Sequence, residues 1–179
     1  MNKVVAIVGM CGSGKSIASD YLEEKGYEKV YFGGVVLDKL KENNMEVTPE
    51  NEKFIREKLR TDLGMAAMAI VLLPKIKELA KDKDVVLDGL YSWEEYLVLK
   101  KEIENLQVIA IVTDKELRDS RLNTREVRPL TNEEAKTRDI SEIDNLHKAP
   151  PIAYADYYVL NNGTLDEYKE RLEQIIKEI

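Results

Sequence analysis

Val4-Val5-Ala6-Ile7-Val8-Gly9-Met10-Cys11-Gly12-Ser13-Gly14-Lys15-Ser16 is the stretch on which the fold turns. Its first half is a short apolar run of the kind buried parallel strands use, and its second half reads G-x-x-x-x-G-K-S. A strand feeding such a loop, with a helix after it, is the context in which backbone amides cradle phosphate. Glycines at 9, 12 and 14 permit the backbone angles and close approach the cradle needs. The positive end of the following helix adds to the same site. Lys15 is placed to reach the outer phosphates and the Ser16 hydroxyl to ligand Mg²⁺. Gly9, Gly12, Ser13, Gly14, Lys15, Ser16 and Ile17 are the candidate contacts to a nucleoside triphosphate.

The rest of the chain narrows the setting. Residues 1–179 suit a single domain with a real core, and 44% hydrophobic with 34% charged residues is ordinary for a globular protein. A net charge of −7 argues against general affinity for nucleic acid or anionic membranes. One cysteine excludes an internal disulfide framework, and the apolar N-terminal run is too short for a signal peptide or membrane span, so a cytoplasmic location is expected.

Strand and helix signals alternate from end to end. Strands are expected at about 3–9, 28–32, 84–88, 107–112 and 156–160. Helix starts are marked by Thr48-Pro49 and by capping-box spacing at Ser92/Glu95, Thr113/Glu116, Thr131/Glu134 and Thr164/Glu167. A small-residue helix is expected from about 63 to 79, bent or divided by Pro74. Such alternation predicts an α/β fold with a parallel sheet, helices on both faces, and ligands at the carboxyl ends of the strands.

Two further features carry chemistry. Val85-Val86-Leu87-Asp88-Gly89 ends the third strand on an acid, the expected second Mg²⁺ contact. Arg118, Arg121, Arg125 and Arg128 are spaced to share one helix face after the fourth strand. The bland reading pairs them with Asp114, Glu116 and Asp119 on a solvated surface. Against it, arginine is concentrated here in a chain whose 27 basic residues are mostly lysine, and its planar fork grips phosphate oxygens bidentately. Arg121 and Arg125 are the stronger catalytic candidates; Arg138 follows in the helix that Thr131 caps.

On these motifs the chain resembles the P-loop nucleoside monophosphate kinases and their relative, dephospho-coenzyme A kinase. The resemblance runs over nearly the full length: the loop, Asp88-Gly89, Arg121-x-x-x-Arg125, Arg138-Asp139, and Ala155-Asp156-Tyr157-Tyr158-Val159-Leu160-Asn161-Asn162-Gly163-Thr164. It is also similar to an archaeal and bacterial set of adenylate kinase-related, dephospho-coenzyme A kinase-like proteins, through Leu59-Arg60-x-x-Leu63-Gly64-Met65 and Leu90-Tyr91-Ser92-x-Glu94-Glu95. The resemblance implies a three-layer α/β/α P-loop NTPase fold with a five-stranded parallel sheet, ATP and Mg²⁺ as cofactors, and a monomer or homodimer. It further implies a helical acceptor-binding insertion at about 33–75, a short lid at about 122–137, and adenine contacts at Asn162, Gly163 and Thr164. Arg60, Gly33, Tyr91 and Arg128 are the candidate acceptor contacts.

The departures bear on the acceptor. Adenylate kinases follow the third-strand Asp-Gly with an aromatic residue, proline and a phosphate-gripping arginine; this chain has Leu90-Tyr91-Ser92. Dephospho-coenzyme A kinases carry Asp-x-Asp after the second strand; this chain has Phe32-Gly33-Gly34, with Asp38 the nearest acid. A phosphate acceptor needs no strong base, so the expected activity is transfer of the γ-phosphate to a nucleotide-like small molecule, foremost a nucleoside monophosphate. Dephospho-coenzyme A kinase and a regulatory NTPase acting through a protein partner are the alternatives. Among other conspicuous residues, Lys148 has a better claim on phosphate than its neighbour His147, because Pro150 and Pro151 stiffen their loop beside the lid. Trp93, Tyr91 and Tyr96 suit either the acceptor pocket or the aromatic core.

Overall fold

A computed structural model describes residues 2–179. Five strands, β1 (Val4–Val8), β2 (Glu28–Tyr31), β3 (Val85–Asp88), β4 (Leu106–Val112) and β5 (Tyr157–Leu160), form one sheet in the order β2-β3-β1-β4-β5. Every pairing is parallel. The strands lie within a residue of the expected bounds, because short β-branched runs flanked by helix caps leave the ends little room to move.

Nine helices connect and flank the strands among the described residues: α1 (Lys15–Glu24), α2 (Gly34–Glu42), α3 (Pro49–Leu63), α4 (Ala67–Leu79), α5 (Trp93–Glu102), α6 (Lys115–Thr124), α7 (Asn132–Asp144), α8 (Ala149–Ala153) and α9 (Leu165–Glu178). The strand period of two sorts β1 between two cores. Val4, Ala6 and Val8 pack among residues of α2–α5, including Leu40, Ile55, Ala69, Ile76 and Leu99. Val5 and Ile7 pack on the other face with Ala18 and Leu22 of α1 and Tyr168 and Leu172 of α9. The result is the expected three-layer arrangement.

Three local expectations are corrected. Capping boxes form at Ser92, Thr131 and Thr164, but not at Thr113. Asp114 precedes α6 without a side-chain cap, and the buried Thr113 hydroxyl turns inward to the glycine-rich loop instead. α4 starts at Ala67 rather than 63, and it runs through Pro74 undivided. α6 ends at Thr124, so Arg125 and Arg128 lie beyond the helix and the four arginines do not share one helical face. Segment 122–137 comprises the end of α6, an irregular stretch at 125–131 and the start of α7.

Candidate active site

The central strand delivers the loop to the carboxyl end of the sheet, where Asp88 of β3 pairs in register with Ile7. The loop's carbonyls are held from behind. Asn161 Nδ2 donates to Ser13 O at 2.8 Å, and the Thr113 hydroxyl lies 3.1 Å from that same oxygen. The Tyr168 hydroxyl donates to Gly14 O at 3.0 Å, and Arg118 Nη1 donates to Cys11 O at 3.0 Å. The Lys15 ammonium donates to Met10 O at 2.9 Å. Among the described residues, the N–H groups of Gly12, Gly14, Lys15 and Ser16 meet no protein acceptor. The loop therefore hides its acceptors and offers its donors, which is the polarity an anion requires. Gly14 is the tightest point: its φ is 97°, and a Cβ there would collide with the Asn161 amide.

Burial, and next the charge of Lys148, lower the Lys15 ammonium from its ordinary value to about 8. A bound phosphate relieves both effects. Ser16 is exposed at the start of α1, while the buried Ser19 hydroxyl lies 3.0 Å from Ser16 O and 3.1 Å from Asp88 Oδ2. Ser19 thus ties the Asp88 carboxylate to the first turn of the helix. The Ser16 hydroxyl and this carboxylate are hard oxygen donors of the kind Mg²⁺ takes, with phosphate oxygens and water for its other positions.

The arginines divide into distinct roles. Arg118 and Asp139 form a buried two-pronged pair at 3.0 and 2.7 Å, which binds α6 to α7 and holds the loop at Cys11. Its part is structural, not a phosphate grip. Arg121 Nη2 donates to Asn161 O at 3.1 Å, whereas its Nη1 is buried without a partner, an unusual state for a donor in a finished core. Arg125 Nε donates to Arg128 O at 2.7 Å and shapes the stretch between α6 and α7. Asn162 and Thr164 spend their side chains on the backbone N–H groups of Asp114 and Glu167, and Gly163 lies between them.

A cavity of about 370 Å³ opens beyond Asp88. Arg56 and Arg60 of α3, Arg128 and Arg138 line it, with Gly33, Gly89, Tyr91 and Glu95. A Cβ at Gly33 would meet the far end of the exposed Tyr31 ring, which would have to turn aside. Arg56, Arg60 and Arg128 make no ion pair among the described residues, although most lysines do. Burial lowers the Arg60 guanidinium from its ordinary value. Burial also pushes the Glu95 carboxyl up to about 7, even though Tyr91 and Ser92 donate backbone N–H groups to it. Asp38 is exposed on α2, away from the cavity lining. Trp93 and Tyr96 stack at 4.9 Å with Tyr154 edge-on to both, so these aromatics form a packed cluster while Tyr91 alone joins the cavity.

Cradle and cavity are joined through Glu142 of α7. Its Oε2 accepts from the Cys11 N–H at 3.3 Å and from the Lys148 ammonium at 2.8 Å, and its Oε1 accepts from Arg138 Nε at 3.2 Å. Glu142, Tyr168, Thr113 and Asn161 were not among the sequence-derived site residues. Asn161 had the best available signal, an amide at the carboxyl end of the last strand; the others are brought in by packing alone.

A strand-loop-helix motif at the carboxyl end of a five-stranded parallel sheet, faced by an arginine-lined cavity, defines a P-loop α/β protein. A family model described as an AAA domain matches residues 5–140. UPF0200 protein TK1334 of Thermococcus kodakarensis is 32% identical, the match covering 98% of this chain and 97% of that one. A UPF0200 protein of Sulfurisphaera tokodaii is 33% identical, with 99% and 97% covered. The chain belongs to the UPF0200 family. Among solved structures, TT1252 from Thermus thermophilus is similar at TM-score 0.67 and 17% identity, over 99% of this chain and 98% of that one. Dephospho-CoA kinase from Campylobacter jejuni gives 0.58 and 18%, over 99% and 97%. Shikimate kinase from Bacteroides thetaiotaomicron gives 0.61 and 12%, over 99% of both chains. At these identities the structural likeness concerns the fold. No helix among the described residues is long and apolar enough to cross a membrane.

Proposed function

We propose that this protein is an ATP-dependent phosphotransferase that moves the γ-phosphate to a phosphate-bearing, nucleotide-like acceptor, foremost a nucleoside monophosphate. The observation that carries this reading is the cavity beside the cradle, where Arg56, Arg60 and Arg128 converge without ion-pair partners in a chain of net charge −7. Four guanidinium groups line this cavity against two carboxyls, Glu52 and Glu95; that excess calls for an anionic ligand, and the planar fork suits phosphate. About 370 Å³ lies at the small end of ligand pockets, closer to a nucleoside monophosphate than to the longer dephospho-coenzyme A. Asp38 is exposed and off the cavity, and Glu95, the buried acid that does line it, spends its Oε2 on the backbone N–H groups of Tyr91 and Ser92, so an acceptor that is already a phosphate and needs no base suits the site better.

In this reading the free amides and Lys15 hold the donor phosphates. Arg121, whose Nη1 has no partner among the described residues, Arg125 of the 122–137 lid and Arg138 just beyond it neutralise charge, and the lid excludes water. Ser16 and Asp88 would hold Mg²⁺, which would screen the phosphate oxygens. The backbone around Asn162, Gly163 and Thr164 meets the adenine, while Arg60, Gly33, Tyr91 and Arg128 meet the acceptor. The work of such a site is positioning and charge stabilisation, consistent with a cytoplasmic monomer or homodimer acting on a small molecule.

The test is an ATP-consumption screen across nucleoside monophosphates, deoxynucleotides and dephospho-coenzyme A, with the products identified. Transfer to a monophosphate is the expected result. A product phosphorylated on a ribose hydroxyl would replace the acceptor class. Slow hydrolysis with no phosphorylated product, accelerated by a protein partner, would replace the reading with a regulatory NTPase.

A further inference from the structure

Lys148 and Glu142 form a buried ion pair, 3% and 6% exposed, at the rim of the cradle. Buried pairs of this kind contribute little net stability compared with well-packed apolar side chains, so their position is more informative than their strength. The Glu142 carboxylate collects one loop amide, one ammonium and one guanidinium, from Cys11, Lys148 and Arg138. That is the donor set a phosphoryl oxygen would take. The Met10–Cys11 peptide is held at both ends by opposite charges, its carbonyl by Lys15 and its N–H by Glu142. Lys148 also lies 4.4 Å over the ring of Tyr91, a cavity residue, so its ammonium stands where cradle and acceptor cavity meet. The backbone holds it there, with the Lys148 N–H donating to Glu142 O at 3.1 Å and Pro150 and Pro151 following at once in α8.

We propose that Lys148 is a second lysine for the γ-phosphate, and that the Glu142 carboxylate stands in for that phosphate while the cradle is empty. Arrival of the triphosphate exchanges one anion for another on the same donors, and Glu142 turns away while the Cys11 N–H, Lys148 and Arg138 pass to the phosphate. ADP, which lacks the outer phosphate, leaves the carboxylate where it is. Although burial acts to raise the Glu142 carboxyl, Lys148, Arg138 and Lys15 together hold it below its ordinary range, so it serves as an anion at neutral pH and not as a base. The inference rests on the reading of the cradle as an ATP site and is independent of the acceptor's identity.

Calorimetric titration of the full chain with Mg-ATP and with Mg-ADP tests it, using the variants Glu142→Gln, Lys148→Ala and the double variant. Glu142→Gln should tighten ATP about fivefold and leave ADP within about twofold, because no charged occupant has to be displaced. An unchanged ATP affinity overturns the stand-in role. Lys148→Ala alone leaves a buried carboxylate unpaired, so the double variant decides the rest. If the ammonium touches the γ-phosphate, the double variant loses about tenfold or more of the preference for ATP over ADP shown by Glu142→Gln. If Lys148 merely neutralises Glu142, the double variant keeps that preference and the proposal fails. A wild-type chain that binds neither nucleotide overturns both this proposal and the cradle reading; a screen that finds no acceptor touches only the choice of acceptor.

Discussion

The loop and the cavity, the proposed donor and acceptor halves of the site, are built on opposite principles. Behind the cradle, the carbonyls of Met10, Cys11, Ser13 and Gly14 all have side-chain donors, from Lys15, Arg118, Asn161 and Tyr168. Across Asp88, the cavity keeps three guanidinium groups without an ion pair among the described residues, with Glu52 and the buried Glu95, whose carboxyl is raised to about 7, beside them. The loop backbone of the first half is tied in place, so that a phosphate meets fixed amide dipoles and only the Glu142 carboxylate and the Lys15 ammonium have to move. The second holds an excess of positive charge that an anionic ligand would neutralise.

The comparison can be broken most directly on the donor side. Lys15→Ala should lower triphosphate-dependent turnover by more than about a thousandfold; normal turnover in a steady-state assay would remove the cradle from the mechanism. Next in size is a stability effect confined to the acceptor side. The Glu95 carboxyl is raised from 4.5 to about 7, so the stability it contributes is fully present below pH 4.5 and is lost as pH rises through about 7. Glu95→Gln keeps a capping acceptor and should flatten the pH dependence of chemical denaturation over that window, by up to about 3 kcal/mol. Parallel curves for the two proteins would mean that this carboxyl carries no buried strain.

Smaller effects sharpen the division of labour. Arg60→Ala should raise the KM for the acceptor about thirtyfold, with Kd for ATP unchanged, because it removes a charge from one half alone. A comparable loss of ATP affinity would show the halves to be one site. Arg125→Lys should lower kcat about tenfold while ATP affinity moves little, since the fork acts as charge develops. Equal losses would assign Arg125 to ground-state binding. Finally, Lys15 is lowered to about 8 in the empty cradle, and a bound phosphate favours its charged form. ATP affinity should therefore be flat below pH 8 and fall above it by at most about tenfold per unit, as read by titration across pH.

Legibility in the sequence followed the range of the interaction. The glycine-rich loop, the strand ends and three capping boxes are local patterns, and each stands where its spacing put it. Thr113 had the same spacing, but its buried hydroxyl lies within hydrogen-bond distance of the carbonyls of Ser13 and Asn161 and is spent between loop and last strand in place of a cap at the surface. The arginine row failed for a related reason. The three- and four-residue spacing from 118 to 128 is helical, yet α6 stops at Thr124, and Asp139 from the next helix claims Arg118. Arg60, placed by resemblance, and Tyr91, placed by its nearness to Asp88, line the cavity, and Lys148 was singled out beside its prolines; Arg56, Glu95 and Glu142 owe their positions to elements far apart in the chain.

By itself the sequence determined the sheet, the cradle and its lysine, because backbone angles, strand period and helix caps are decided among near neighbours. Only the tertiary structure decided which arginines are spent on the fold and which remain free. It also decided that Glu142, 131 residues beyond Cys11, fills the rim of the empty cradle. A charge's role depends on which opposite charge packs against it, and that partner comes from another element.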